Sequence, residues 1–243
     1  MKNNSWHGKI SLAFFLLTVV LALFSWIASA YGIGEVQSLL SAEGIRWMLG
    51  HVVENYVHAP ALGIMLVLFM GMGIGIRAGL YGALKRFCRK EKQLSRKERR
   101  ALVASVVTLA LYMVLVGVAL LLPWNFLYSV TGSWSHSPLA KGLVYILSVG
   151  IGLSGMVYGY VSDVFRGWKD VVGGMSLLIS RSASYFVTLF FVVQFFSSLI
   201  YTRLPEVIFL SDGVVEVIFQ LFCYLPLFMF GGKSAYHTHA YKY

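Results

Sequence analysis

Residues able to do chemistry are few, and several gather in one stretch, GMVYGYVSDVFRGWKDVVGGMSLLISRS (Gly155–Ser182). Asp163, Arg166 and Asp170 fall close together there, which suits a catalytic loop, a transport element or a turn between two spans. His51 and His58 stand seven residues apart, and His237 and His239 form an H-x-H near the carboxyl end. A metal centre needs more ligands in a defined geometry and a supporting shell, so the sequence predicts no metal site. No Ser-His-Asp or Cys-His arrangement stands out, and an enzyme reading has no anchor residue. Cys88 lies in a basic loop and Cys223 in an apolar run. Two such cysteines cannot build a disulfide framework and read as free thiols.

The elements that must position these residues are set by composition. Hydrophobic residues make up 58% of the chain and charged residues 12%, about half the charge a soluble surface carries. Six runs approach the length needed to cross roughly 30 Å of hydrocarbon as helices: Ile10–Tyr31, Leu62–Leu84, Ala101–Pro123, Leu139–Val161, Tyr185–Thr202 and Val214–Gly231. Helices are required because lipid offers no partner for open backbone groups, and the runs lack the alternation of a barrel strand. The expected fold is all-α, a polytopic membrane bundle of about six helices. Lys2, Lys9 and Ala28-Ser29-Ala30 suit a cleavable signal, but the apolar run exceeds the ~7–15 residues of a signal core. A retained span is expected.

Orientation follows from charge. The loop Lys85–Arg100 holds nine of the 20 Lys and Arg residues, and placing it in the cytoplasm satisfies the positive-inside rule. Both termini then lie inside, and only Arg46, Lys141 and Arg203 among the basic residues fall outside. The net charge of +10 reads as a topology determinant beside anionic headgroups; no recognition fold or aromatic platform points to nucleic acid. The chain divides into residues 1–84 (first span, outer amphipathic segment, Gly-rich second span), 85–100 (basic loop) and 101–243 (four membrane helices with a turn at 162–170).

Gly71, Gly75 and Gly79 recur every fourth residue, and Gly155 and Gly159 repeat the spacing in span four. The nucleotide fingerprint requires a preceding strand and another spacing, so close helix packing is the reading. Ionisable groups inside lipid are expensive and mark function, yet few occur here. Gln194 sits well inside span five and is the weak candidate for contact with a solute, against the plainer role of a helix-to-helix hydrogen bond. Starting span five at Tyr185 leaves Val171–Ser182 as an interfacial segment with Arg181 at the headgroups.

A family resemblance rests on ordered motifs. Leu39-Leu40-Ser41, Glu43-Gly44, Arg46-Trp47, Asn55-Tyr56 and Ala61-Leu62-Gly63 precede the Gly-rich span. LSRKERRAL opens the third run, followed by Ser137-Pro138, Gly155-Met156-Val157-Tyr158-Gly159, Asp170-Val171-Val172, Tyr185, Phe190-Phe191 and Gln194-Phe195. In this order, from about Trp26 to Val207, they resemble the AbgT family of p-aminobenzoyl-glutamate transporters.

The resemblance implies a bacterial inner-membrane secondary transporter for p-aminobenzoyl-glutamate or a related folate or aromatic amide solute. It implies no cofactor beyond coupling to sodium or protons. The family pattern is about twice as long, and both re-entrant hairpin regions are missing from this sequence. Thr202-Arg203 stands where the family has Ser-Asn. Such a shortened member would act as a homodimer or with a partner membrane protein; the alternative is a non-transporting scaffold subunit.

Overall fold

The computed structural model describes residues 4–89, 94–121, 138–207 and 209–228. They form helices α1 (Asn4–Ala30), α2 (Ala42–Val57), α3 (Pro60–Ala78), α4 (Leu80–Arg89), α5 (Arg96–Leu121), α6 (Pro138–Val161), α7 (Trp168–Arg181), α8 (Ala183–Tyr201), α9 (Leu204–Val207) and α10 (Asp212–Phe228). No strand occurs among the described residues.

Local chemistry explains the boundaries. Ser41 caps α2 by accepting the Gly44 N–H at 3.0 Å. Pro60 opens α3 at the position where a missing N–H costs nothing. The LSRKE motif is a reciprocal capping box: Ser95 N–H donates to Glu98 Oε2 at 3.0 Å, and Glu98 N–H donates to Ser95 Oγ at 3.3 Å. α6 ends where Asp163 takes a left-handed φ of 59°.

Five stretches are long and apolar enough to cross a membrane: Trp6–Ala30, Ala42–Ala78, Arg96–Ala119, Gly142–Val161 and Ala183–Tyr201. The sixth expected span is α10, whose apolar part, Gly213–Leu225, is shorter. Residues 229–231 of that expected span lie outside the described residues.

Two expectations need correction. The run Leu62–Leu84 is not one span: Gly79, at φ 83°, ends α3 and the chain restarts as α4. A period of four glycines cannot reveal this, because packing and helix breaking both favour glycine. Val171–Arg181 belongs to helix α7, whose Val171 and Gly174 are buried in the protein, and α8 follows after Ser182 alone. Finally, the spans are less bare of polar groups than their composition suggests. Ser11, Ser25, Ser148, Thr188, Ser198 and Thr202 are all buried.

The chain forms two compact units. Unit 1 comprises residues 1–63 and 182–243; unit 2 is the continuous stretch 64–181, inserted between the two parts of unit 1. This division cuts across the segments 1–84, 85–100 and 101–243.

In unit 1, α8 is the central helix and packs against α1, α2 and α10. Leu189 and Val192 are fully buried. Phe14 of α1 meets Phe195 of α8 edge-on at 5.6 Å and Phe222 of α10 at 5.5 Å. Offset and edge contacts of this kind are the favoured aromatic geometry.

In unit 2, α5 and α6 pair, while α3 meets α6 on one side and α7 on the other. A Cβ on Gly155 would lie 2.9 Å from the Cα of Gly75, and one on Gly71 would overlap the Ser148 backbone. A Cβ on Gly73 would overlap the Gly174 carbonyl. The core beside these crossings gathers Ile74, Ala78, Tyr158, Phe165 and Val171.

Candidate functional site

Two polar networks are built into the helices, one in each unit. In unit 2 the link between α6 and α7 carries Asp163, Arg166 and Asp170. Phe165 N–H donates to the Gly159 carbonyl at 3.0 Å, folding the link back over the end of α6. The Phe165 ring, 3% exposed, rests where a Cβ on Gly159 would be. Gly159 thus seats the turn, whereas Gly71 faces α6, and Gly75 offers its backbone to Gly155 of α6 while the Tyr81 ring of α4 covers its Cβ position. Gly79 has no neighbour that a Cβ would meet and serves the helix break.

The acidic groups of this link reach back to other helices. Asp163 pairs with Lys97 of α5. Asp170, in the first turn of α7, accepts the Arg166 backbone N–H at 3.0 Å and the Arg77 guanidinium at 3.4 Å. The nearby pair Arg86–Glu98, at 2.8 Å, joins α4 to α5.

The Arg166 N–H, then the Gly167 N–H and the charge of Arg77, hold the Asp170 carboxyl below the usual carboxylate range. Its tie therefore stabilises the turn fully above the ordinary carboxylate pKa, and that contribution disappears as pH falls through the lowered value. Accordingly, Asp170→Asn is expected to speed protease cleavage within 162–167 at pH 7. Below the depressed pKa the mutant and parent cleavage rates should converge; a mutant effect of equal size at all pH values refutes the assignment.

Unit 1 holds an uncharged network. Ser11 Oγ donates to the His7 carbonyl at 2.8 Å and lies 3.0 Å from Thr188 Oγ1. Thr188 in turn donates to the Ser184 carbonyl at 2.9 Å. The buried Ser25 Oγ accepts the Leu39 N–H at 3.1 Å. Tyr185, fully buried, donates its hydroxyl to the Cys223 carbonyl at 3.0 Å, linking α8 to α10. Tyr56 donates to the Phe186 carbonyl at 3.0 Å.

Gln194 joins the same network: its Nε2 donates to the Val52 carbonyl of α2 at 2.8 Å. At one end, Trp47 stacks on Tyr201 at 4.2 Å and on His51 at 5.4 Å. Arg203 pairs with Glu35 at 2.6 Å. The Ser11–Thr188, Tyr185–Cys223, Tyr56–Phe186 and Gln194–Val52 contacts each join two helices, which stabilises packing in a medium where open groups are costly; the Arg203–Glu35 pair is exposed.

Gln194→Met keeps the side-chain volume and removes that hydrogen bond. Its expected cost is about 0.6–1.7 kcal/mol, the range for interhelical hydrogen bonds in membranes, measured by thermal unfolding in mild detergent. If KM for solute rises while stability stays at the parent value, Gln194 contacts solute instead.

His51 and His58 each place Nδ1 2.9 Å from the carbonyl four residues back in α2. His237 and His239 lie outside the described residues. No group of three metal-ligating side chains assembles among the described residues. Cys88 is exposed and Cys223 buried, both as free thiols.

Sequence reading missed Ser11, Ser25, Ser148 and Thr188. The available signal was a hydroxyl interrupting each otherwise apolar run; which of them reach another helix depends on packing.

Comparison with known proteins places the chain. The family model described as "AbgT putative transporter family" matches residues 9–91 and 85–217. A p-aminobenzoyl-glutamate transport protein of Escherichia coli (strain K12) is 36% identical over 83 residues, covering 30% of this chain and 16% of that protein. The match therefore spans less than a fifth of the relative's length.

Among solved structures, the Alcanivorax borkumensis YdaH transporter superposes with a TM-score of 0.71 at 16% identity, over 93% of this chain and 84% of that one. Neisseria gonorrhoeae MtrF, whose structure is described as illuminating a class of antimetabolite efflux pumps, gives 0.72 at 15% identity, over 90% and 80%. At such identities the likeness shows the fold. With the family model matching most of its length, this multi-pass membrane protein belongs to the AbgT family, a family of transporters and not of enzymes.

Proposed function

We propose that the chain carries p-aminobenzoyl-glutamate, or a related folate or aromatic amide solute, across the bacterial inner membrane, coupled to a sodium or proton gradient. The carrying observation is the family match over residues 9–91 and 85–217, joined by the 36% identity to the Escherichia coli transport protein. The basic α4–α5 side faces the cytoplasm in this reading, since nine of the 20 Lys and Arg residues lie in Lys85–Arg100. The working form is a homodimer or an assembly with a partner membrane protein.

The direct test is flux of radiolabelled p-aminobenzoyl-glutamate in proteoliposomes holding the purified chain. Accumulation above that of empty liposomes, abolished when the sodium or proton gradient is collapsed, is the expected result. Flux equal to empty liposomes under both gradients overturns it.

A further inference from the structure

We propose that α5 carries a discrete site for an anionic phospholipid, its phosphodiester held by Arg96, Arg99 and Arg100 and an acyl chain lying along Val103, Ala104 and Val107. These six residues border one open, shallow surface region of about 660 Å³ on unit 2. Their spacing of three and four puts them on one helix face, turn above turn. Three cations therefore stand directly over an apolar rail.

Charge pairing in this region is selective. Arg86 is taken by Glu98, Lys97 by Asp163 and Arg77 by Asp170. Arg96, Arg99 and Arg100 are exposed and have no carboxylate partner among the described residues. They also crowd the first turns of α5, the positive end of the helix, where cations are disfavoured and an anion is favoured. Glu98, the acidic residue of that turn, is already engaged by Arg86 and by the Ser95 N–H.

Below the arginines the same face stays apolar and open. Val103, Val107, Leu111, Val114 and Val118 are all more than half exposed. At 1.5 Å per residue, Val103 to Val118 runs about 22 Å, matching the depth of one acyl chain through most of the hydrocarbon. A soluble anion would satisfy the arginines and leave this rail unused; an anionic lipid satisfies both.

α4 supplies a separate sign of where the headgroup level lies. It exposes Tyr81, Leu84 and Phe87 on one side, beside Lys85. Aromatic and apolar groups next to basic ones are the pattern of a helix lying in the membrane surface. Arg86–Glu98 fastens that helix to the first turn of α5, so the three arginines stand at the same level. The inference needs only membrane embedding and is independent of which solute is carried.

Native mass spectrometry of the full chain, titrated with palmitoyl-oleoyl phosphatidylglycerol or phosphatidylcholine, tests it. The expected result is a phosphatidylglycerol adduct that phosphatidylcholine does not match. In R96Q/R99Q/R100Q it should weaken by about a hundredfold, the scale for three cations at a headgroup surface.

The charge-matched variant R166Q/K169Q/R181Q should retain the adduct. Equal loss in both triple variants would show general electrostatic attraction, and equal binding of both lipids would show no headgroup preference; either overturns the site. Displacement of the adduct by millimolar inorganic phosphate would assign the arginines to a soluble anion and also overturn it. A second variant, V103N/V107N, keeps the cations. It should abolish the preference for long-chain over dihexanoyl phosphatidylglycerol; an unchanged preference removes the acyl rail from the proposal.

Discussion

Gly71→Val is expected to destabilise unit 2 by about 3 kcal/mol or more, at the upper end of overpacking costs, lowering the thermal midpoint by roughly 10 °C. The reason is what stands opposite. A Cβ at Gly71 would occupy the space of the Ser148 backbone as well as its hydroxyl. A flexible side chain could swing aside, but a helix backbone moves only if α3 and α6 separate.

That separation also affects the next contact. Ser148 Oγ donates to the Val67 carbonyl, one turn before Gly71, and Gly155 sits against Gly75 one turn after. The three contacts should therefore fail together, so G71V and S148A are expected to be strongly non-additive. Gly117→Ala is the control: a Cβ there meets nothing within 4 Å, and the midpoint should stay the same or rise slightly. Thermal unfolding in detergent of the parent, G71V, S148A, G71V/S148A and G117A checks this; a parent-like midpoint for G71V would mean that the two helices do not approach at this crossing.

Tyr185→Ala is expected to do comparable damage in unit 1, about 3–5 kcal/mol by analogy with other buried aromatic truncations. Its ring is fully buried, and its hydroxyl reaches the Cys223 carbonyl at 3.0 Å. Tyr185→Phe keeps the ring and removes only that hydrogen bond, so its cost should be nearer 0.6–1.7 kcal/mol.

Thiol labelling gives a local readout. Cys223 is fully buried and Cys88 exposed, so a membrane-permeant maleimide should label one thiol in the parent and in Y185F. In Y185A the space left between α8 and α10 should let both react. A single labelled thiol in Y185A, with a parent-like midpoint, would rule out Tyr185 as the link between those helices.

These cases show what could be read before any coordinates. The membrane bundle follows directly from long apolar runs, since lipid permits few ways to satisfy a backbone. The α3–α6 crossing is partly legible: Gly71 and Gly75 leave a smooth stripe on α3, while of Gly155 and Gly159 only Gly155 meets α3 and Gly159 seats Phe165. Gly79 shares that spacing and does a different job, and its φ of 83° is a local conformation that composition does not encode.

Hydroxyl groups are harder still. Thr18 bonds the Phe14 carbonyl of its own helix at 2.8 Å, whereas Ser11 does likewise with His7 and also meets Thr188, 177 positions away. In one dimension the two residues look alike. The partners of Asp163 and Asp170, Lys97 and Arg77, are likewise distant in sequence, so a turn could be inferred but not what anchors it.

The insertion of residues 64–181 between the two parts of unit 1 also sets an order of events during synthesis. Phe14 and Ser11 find their α8 neighbours only after the ribosome has made all of the intervening stretch. At roughly 5–20 residues per second the wait is on the order of ten seconds. Throughout it, the first helix must sit in the bilayer without its main packing partner, a period in which insertase partners or membrane proteases could intercept the nascent chain.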